Sequence, residues 1–410
     1  MKVLIKNLKN PLLWTFIIVQ ISCASYAENV IRPPLFELTP KSVEYLGGFR
    51  LPKSKKGESR IAYSQGTIAL RPTKNSLFII GHAHHQAVAE FEIPQISKSK
   101  KIADWPIAKF NQPFSTIFRR AKSGNSQKIN RVTGMAEIEK QLVINGMEFY
   151  DADASVRDTT LIIRNADNLS TSTVDGFFQL QGAAHAAGWI SRIPRDWQKK
   201  LGSEYLVGNS SALAINSRLS IGPSAFIAQF WGVLNTKDSS GMIITDALMD
   251  FSLKNPIVED QYNESRQNDL WTELSSAYYG FIIPSTSSYF VIGKSGGHEA
   301  GIGYKITQDN GRKCGGPCSL KARDNYNYFW LFDVAEFIAV KEGKKKAYQI
   351  KPYQYGIFDT VNTSSGIIGA DYDADKNLLY VVFAKEDKSQ SQYESIPVIR
   401  VYRIHTDNNK

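Results

Sequence analysis

The small and apolar residues of this chain recur in a two-strand unit. A glycine opens a segment of small and apolar residues, and a turn then leads to a strongly apolar β-type run. The five opening glycines are Gly66, Gly134, Gly208, Gly280 and Gly366, which lie 68, 74, 72 and 86 residues apart. Near-regular spacing of β units is typical of radial arrays of sheets. The pattern predicts an all-β, single-domain β-propeller of about five blades.

The length of the units leaves other arrangements open. Units of this size are long for four strands, so six or seven blades also fit the spacing. An irregular β-sandwich followed by a second β domain is the alternative fold. In a propeller the ring must close, because closure removes exposed sheet edges. The strand-like segments 43–51 and 397–404 are the candidates for joining the two ends.

Helical patterns are scarce and fall in the connections between strands. The segments 195–201, 333–341 and 245–251 are the candidates for short helices. Small residues in the first strand of each unit suit the innermost position of a blade, where strands crowd around a central channel. The third unit is predicted to start its inner strand at Gly208 and to continue into 224–228.

The first 27 residues have the pattern of an export signal. Three lysines precede an apolar core at 12–21, and Ser-Tyr-Ala before Glu28 is a small-x-small cleavage site. We therefore predict a signal peptide at 1–27 and a mature propeller at 28–410, periplasmic or secreted, with no membrane span after cleavage. A lipoprotein modified at Cys23 and an uncleaved anchor are the alternatives.

The other two cysteines are Cys314 and Cys318, separated by Gly-Gly-Pro. In an exported chain, two thiols flanking a turn predict a local disulfide that pins a loop. A metal site is the alternative, and it would need further ligands. Such a short ring contributes modestly to stability, because it removes little entropy from the unfolded chain.

The chain is basic, with a formal net charge of +10. Basic runs such as 53–56 and 344–346 lie between strand-like segments. They could steer an acidic polymer such as an anionic polysaccharide, or they could simply be solvated loops. Nucleic acid is not an expected partner, because the chain carries an export signal and lacks interleaved basic and aromatic residues.

Polar residues near the starts of the inner strands are the main ligand-binding candidates. These positions converge on one mouth of a propeller channel. Arginine forks onto carboxylates, and tyrosine stacks on sugar faces. The candidates are Arg60, Tyr63, Arg131, Asn209, Tyr278, Tyr279 and Asn362. The alternative is that these side chains plug the channel.

Several acids and histidines are candidates for catalysis. Paired carboxylates can hydrolyse glycosides, and a histidine in a Gly- or Ala-rich turn can act as a general base. The candidates are His298, Glu299, Asp151, Asp153 and His185. Ordinary turn roles, or Ca²⁺ binding by the paired acids, are the alternatives.

A metal ion is a weaker expectation, and no other cofactor is predicted. His82 and His84 would point to the same side of an extended segment and could bind a divalent ion such as Zn²⁺. The alternative is an exposed polar turn.

The sequence supports three functional hypotheses and does not decide whether the protein is an enzyme. The first is an exported binding module that recognises an anionic glycan or other acidic ligand at the channel mouth. The second is a carbohydrate-active enzyme, a glycoside hydrolase or polysaccharide lyase, that uses channel-facing acids, Tyr or His. The third is a structural envelope protein. The first two differ in whether titratable groups converge within a pocket.

Overall fold

The computed structural model describes residues 32–210, 218–358 and 365–406. By its internal contacts the chain divides into two compact units, Met1–Arg32 and Pro33–Lys410. All the strands of the described residues lie in the second unit. The signal peptide predicted at 1–27 lies outside the described residues.

The second unit is built almost entirely of short strands. In chain order the strands are β1 (Val43–Arg50), β2 (Ile68–Arg71), β3 (Ser76–Ile80), β4 (Ala87–Glu92), β5 (Phe110–Thr116), β6 (Arg131–Ile138), β7 (Gln141–Met147), β8 (Thr160–Ile163), β9 (Val174–Leu180), β10 (Trp189–Arg192), β11 (Tyr205–Gly208), β12 (Ala225–Ala228), β13 (Gly241–Ile243), β14 (Thr245–Met249), β15 (Ser276–Ile282), β16 (Ser288–Gly296), β17 (Ile302–Tyr304), β18 (Pro317–Ser319), β19 (Asn325–Asp333), β20 (Gln354–Ile357), β21 (Ile367–Asp373), β22 (Leu378–Phe383) and β23 (Val398–Ile404). The α-helices among the described residues are α1 (Arg195–Leu201), α2 (Trp231–Asn235) and α3 (Val334–Lys341).

These strands form five antiparallel blades, which confirms the predicted β-propeller. Blade 1 is β2-β3-β4-β5, blade 2 is β6-β7-β8-β9, blade 3 is β10-β11-β12-β14, blade 4 is β15-β16-β19-β20 and blade 5 is β21-β22-β23-β1. Strand β13 adds a fifth, parallel strand to the outer edge of blade 2. The inner strands β2, β6, β10, β15 and β21 contact one another in ring order, and β21 returns to β2.

The first strand of the propeller closes the last blade. Strand β1 pairs antiparallel with β23, with Val43 opposite Ile404 and Arg50 opposite Val398. The two ends of the unit are therefore held in one sheet. The two segments predicted from the sequence to join the ends do so.

Hydrogen bonds cross every junction between neighbouring blades near the channel. The Thr67 hydroxyl donates to Val132 O between blades 1 and 2 (3.2 Å), and the Thr133 hydroxyl donates to Ala187 O between blades 2 and 3. The Ala277 N–H donates to the Ser210 hydroxyl between blades 4 and 3 (2.7 Å). Asp371 of blade 5 accepts from the Tyr279 hydroxyl of blade 4 (2.6 Å) and from the Leu70 N–H of blade 1 (2.7 Å). Glycine permits this approach: a Cβ on Gly134 would lie 1.8 Å from the Gly188 carbonyl oxygen. The small residues of the inner strands therefore fix the ring diameter.

The third blade differs from its prediction by one strand. Gly208 ends the second strand, β11, whereas the inner strand is the four-residue β10, preceded by Gly188. The true inner strand is too short to stand out beside the Gly/Ala-rich segment before it. The segment 245–251, a candidate helix, is mainly the strand β14, while 195–201 and most of 333–341 are helical as predicted.

The predicted disulfide is present. Cys314 and Cys318 are bonded, and Cys318 lies in β18, which pairs with β17 as a hairpin between two strands of blade 4. None of the helices in the described part of the chain is long and apolar enough to cross a membrane.

Candidate functional site

One end of the propeller collects the loops that carry most candidate residues. Because the blade strands are antiparallel, the start of each inner strand lies at the same end as the turn between the second and third strands. We call this end the entry face. It receives the residues before each inner strand and also the β3–β4, β7–β8, β11–β12, β16–β19 and β22–β23 connections.

A cavity of about 240 Å³ lies where the inner strands converge, and all five blades contribute to it. We call it the central cavity. Its described lining includes Gln65, Thr67, Arg131, Thr133, Met147, Phe149, Trp189, Asn209, Ser210, Ser276, Tyr278, Tyr279, Lys294 and Gly369. Two of the described lining residues are cations, and none is Asp or Glu.

Arg131, the first residue of β6, is the first of these cations. One of its terminal nitrogens donates to the Asn130 carbonyl (2.8 Å), and its guanidinium lies 4.8 Å from the centre of the Phe149 ring. Its Nε is buried without a hydrogen-bond partner. Burial lowers the pKa of Arg131 from its ordinary value. Since the guanidinium still titrates far above neutrality, it carries its charge into the cavity.

Lys294, in β16, is the second cation, and Tyr278 of β15 is its neighbour. The ammonium lies 5.7 Å from the centre of the Tyr278 ring. Interaction with Tyr278 raises the pKa of Lys294 and outweighs the opposite effect of burial. Lys294 is therefore charged at neutral pH, and it presents that charge beside a phenol group inside the cavity.

Tyr279 and Asp371 form a closed pair at the wall of the cavity. The Tyr279 hydroxyl donates to Asp371 Oδ1 (2.6 Å), while the Leu70 and Tyr372 N–H groups donate to the same carboxylate (both 2.7 Å). Burial raises the pKa of Asp371 to about 6 and that of Tyr279 well above its ordinary value. This carboxylate joins blades 4, 5 and 1, because it accepts hydrogen bonds from the tyrosine and from two backbone groups.

A buried arginine, Arg218, stabilises the wall beside the half-buried Arg131. Arg218 is 2% exposed and donates to the carbonyl groups of Glu148 and Phe149. Burial lowers the pKa of Arg218 and outweighs the opposite effect of the nearby Asp151 and Glu148 charges. Arg218 thereby fixes the Phe149 ring on which Arg131 lies.

The structure places four of the seven predicted ligand-binding residues at the central cavity: Arg131, Asn209, Tyr278 and Tyr279. Asn362 lies outside the described residues. Arg60 pairs with Glu394 (2.6 Å), and the Tyr63 hydroxyl donates to the Tyr393 carbonyl (3.3 Å). Arg60 and Tyr63 therefore bind the β22–β23 connection and do not line the cavity.

The five catalytic candidates lie on the same end of the propeller but outside the lining of the central cavity. His298 stacks on Tyr328 at 5.0 Å, and burial lowers its pKa. Glu299 pairs with Lys321. Asp151 accepts from the Ser155 N–H (3.0 Å), as in an ordinary turn, and Asp153 is exposed.

His185, the last of these candidates, has a carboxylate partner. Its Nδ1 lies 2.6 Å from Asp250 Oδ1, and both side chains are partly exposed. The turn that carries His185 touches the cavity wall, because Asn209 Nδ2 donates to the Ala184 carbonyl (3.0 Å). A carboxylate that orients an imidazole is a recurring part of acid–base sites, and here it stands beside the cavity.

The histidines of the β3–β4 turn pack on one another. The rings of His82 and His84 lie 5.3 Å apart, and the His84 N–H donates to His82 Nδ1 (3.1 Å). Burial lowers the pKa of His82. In the described part of the chain, no group of three or more His, Cys, Asp and Glu side chains converges as a metal site.

Lys294, Arg218 and Asp250 were not predicted from the sequence. Lys294 had a local signal, because it is a charge that directly follows the apolar run Tyr-Phe-Val-Ile-Gly. Such a position inside a buried strand requires an explanation. Arg218 and Asp250 had none, since their importance comes from contacts with distant segments.

No family model and no curated protein matches the sequence. Among solved structures, the chain is similar to a xylan beta-1,4-xylosidase from Bacillus halodurans C-125, with a TM-score of 0.41 and 8% identity. The match covers 86% of this chain and 56% of that one, so this chain spans little more than half of that protein's length. A similarity this low says nothing about activity, and the five-bladed fold is established by the strand pairings.

Proposed function

We propose that this propeller is a binding protein that holds an acidic ligand, a carboxylate-bearing sugar, in the central cavity. The observation that carries the proposal is the pair of cations, Arg131 and Lys294, in a described lining that contains no carboxylate. Desolvated charge without a counter-ion is costly, and a bound anion would offset that cost.

The rest of the lining suits a sugar. Tyr278 offers a ring face, and Asn209 and Ser276 add amide and hydroxyl groups around it. Aromatic faces and a few polar groups are the usual combination in sites for small polar molecules. A cavity of about 240 Å³ favours a single sugar unit at this position.

Calorimetric titration of the purified protein with D-galacturonate and, separately, with neutral D-galactose tests the proposal. We expect the acid to bind and the neutral sugar to bind much more weakly. Arg131→Met and Lys294→Met should each weaken binding of the acid about 10- to 100-fold, because each removes a charge-assisted hydrogen bond worth roughly 1.5–3 kcal/mol.

Arg323→Met is the matched control, because Arg323 is an exposed arginine on the same face whose side chain is 77% accessible. It should leave the affinity unchanged. Equal affinity for the acid and the neutral sugar, or full binding by Arg131→Met, would contradict the proposal.

An acid–base enzyme that acts on carbohydrates is the second candidate, and Tyr278 favours it. In the described lining of the cavity, the phenol of Tyr278 stands beside the Lys294 ammonium, where a positive charge would stabilise the oxygen as it gives up a proton. Incubation with oligogalacturonates would show new unsaturated ends for elimination and new reducing ends for either cleavage reaction. Products that persist in Tyr278→Phe would exclude this role for Tyr278.

We also propose that the protein acts outside the cytoplasm. The lysine-led leader and its small-x-small site support this location. Sequencing the N-terminus of the protein recovered from each bacterial compartment should give Glu28 as the first residue outside the cytoplasm. A lipid-modified Cys23 at the N-terminus would support the lipoprotein alternative.

A further inference from the structure

A second cavity of about 420 Å³ lies on the entry face, between blades 1 and 2. We call it the blade 1–2 cleft. Its walls are the β3–β4 turn at 83–86, the segment 116–119 around the end of β5, the start of β6 at 129–131, and Glu58. Arg131 lines both this cleft and the central cavity. The two spaces therefore meet at the residue that supplies one of the cavity's charges.

Gln86 holds the wall between the two spaces in one conformation. Its Oε1 accepts from the Val132 N–H (2.7 Å), and its Nε2 donates to Gln65 Oε1 (2.8 Å) and Ala83 O (2.7 Å). It is buried, with a φ of 47°, which is uncommon for a residue other than glycine. Backbone strain of this kind persists where surrounding contacts enforce it, and it clusters at functional sites.

The chemistry of the cleft differs from that of the central cavity. Glu58 and Arg119 pair at 2.6 Å, so their charges cancel, and the Thr116 N–H also donates to Glu58 (2.7 Å). His84 is exposed, and Phe118 contributes an aromatic ring. Imidazole, hydroxyl and aromatic groups around a neutralised ion pair suit an uncharged, hydroxyl-rich ligand.

We infer that the central cavity and the blade 1–2 cleft are two subsites of one binding path for an acidic oligosaccharide. The carboxylate-bearing unit lies in the central cavity, the next sugar unit lies in the cleft, and Arg131 lies between them. The inference rests on the proposed function and deepens it, because it makes the ligand a chain of at least two units.

Affinity as a function of chain length tests the inference. We expect galacturonosyl-rhamnose, a disaccharide with one acidic and one neutral unit, to bind at least tenfold more tightly than D-galacturonate, which corresponds to about 1.4 kcal/mol. His84→Ala should reduce this gain and leave the affinity for the single unit unchanged. The paired variant Glu58→Gln/Arg119→Gln, which keeps the cleft neutral, should do the same. Arg323→Gln is the control and should change neither affinity.

The outcomes separate this inference from the proposed function. If D-galacturonate and galacturonosyl-rhamnose bind equally well, the cleft is not a subsite, but acidic-ligand binding in the cavity stands. If both cleft variants retain the full gain from the second unit, the inference is equally overturned. If neither compound binds, the proposed function fails and the two-subsite path fails with it.

Discussion

Two arginines at the boundary of blades 1 and 2, one buried and one half-buried, have opposite surroundings. Arg71, the last residue of β2, is 2% exposed and donates to Glu90 (2.9 Å), Glu137 (2.5 Å) and Asp167 (2.7 Å). Arg131, the first residue of β6, donates to a backbone carbonyl and lies over a phenyl ring, and among the described residues it has no carboxylate partner.

The difference between the two arginines is visible in their pKa values and in the partners of their terminal nitrogens. Burial alone would lower the pKa of Arg71, but the hydrogen bonds that it donates to the three carboxylates raise it. Burial lowers the pKa of Arg131 without such compensation. The Nε of each arginine lacks a partner, so the contrast lies in the terminal nitrogens. Arg71 joins blades, whereas in the proposed function the terminal nitrogens of Arg131 bind an acidic ligand.

The largest expected effect is a loss of stability at the end of the channel where Arg71 is paired with three carboxylates. Arg71→Met removes the one cation that the three carboxylates share and leaves Glu90 buried beside Ser76 and Gln112. We expect a loss of about 3–5 kcal/mol in the free energy of unfolding, because breaking a buried ion pair leaves uncompensated charge. Urea denaturation measures this loss. A loss below about 1 kcal/mol would mean that the ion pairs of Arg71 contribute no more than exposed ion pairs do, and the contrast with Arg131 would then fail.

The second expected effect is an opposite response of two carboxylates, Asp167 and Asp371, to acid. Hydrogen bonding to Arg71 lowers the pKa of Asp167, so its contribution to stability is present above its unfolded pKa and is lost as pH falls through its lower folded pKa. Burial raises the pKa of Asp371 from 3.8 to about 6. Its ionisation therefore destabilises the fold as pH rises from about 4 to 6, by up to about 3 kcal/mol.

Asp371→Asn isolates this second effect. The variant lacks this ionisation. Its free energy of unfolding, relative to that of the wild type, should therefore be higher at pH 7 than at pH 4. Chemical denaturation at several pH values measures it, with Asp153→Asn, at an exposed acid, as the control. A difference that does not vary with pH would mean that Asp371 does not titrate in this range.

The blade architecture could be predicted because each blade leaves a local pattern of small and apolar residues in the sequence. Apolar runs such as β3 and β22 are buried throughout, and the small residues before them fit the crowded inner ring. Blade 3 was misplaced by one strand because Gly208, which ends β11, fits the same glycine-led pattern as the residues before an inner strand. Which of two successive strands is innermost is a tertiary property, and the pairing of β10 with β11 decides it here.

The candidate site could be predicted only in part, for a related reason. Arg131, Asn209 and Tyr278 lie near inner-strand starts, which topology brings together at one mouth. Lys294 enters from the second strand of blade 4, a position that the same rule does not cover. The pairing of His185 with Asp250 joins residues of two connections, and no spacing along the chain encodes that distance.

The smallest expected effect on stability is at Arg131, and it sharpens the comparison most. Arg131→Met exchanges a desolvated, carboxylate-free cation for an apolar side chain of similar length, so the free energy of unfolding should change by less than about 1 kcal/mol or should increase. The same variant should lose affinity for the acidic sugar. Urea denaturation and titration on one preparation measure both quantities. A loss of stability comparable to that of Arg71→Met would instead give Arg131 a structural role in the ring like that of Arg71.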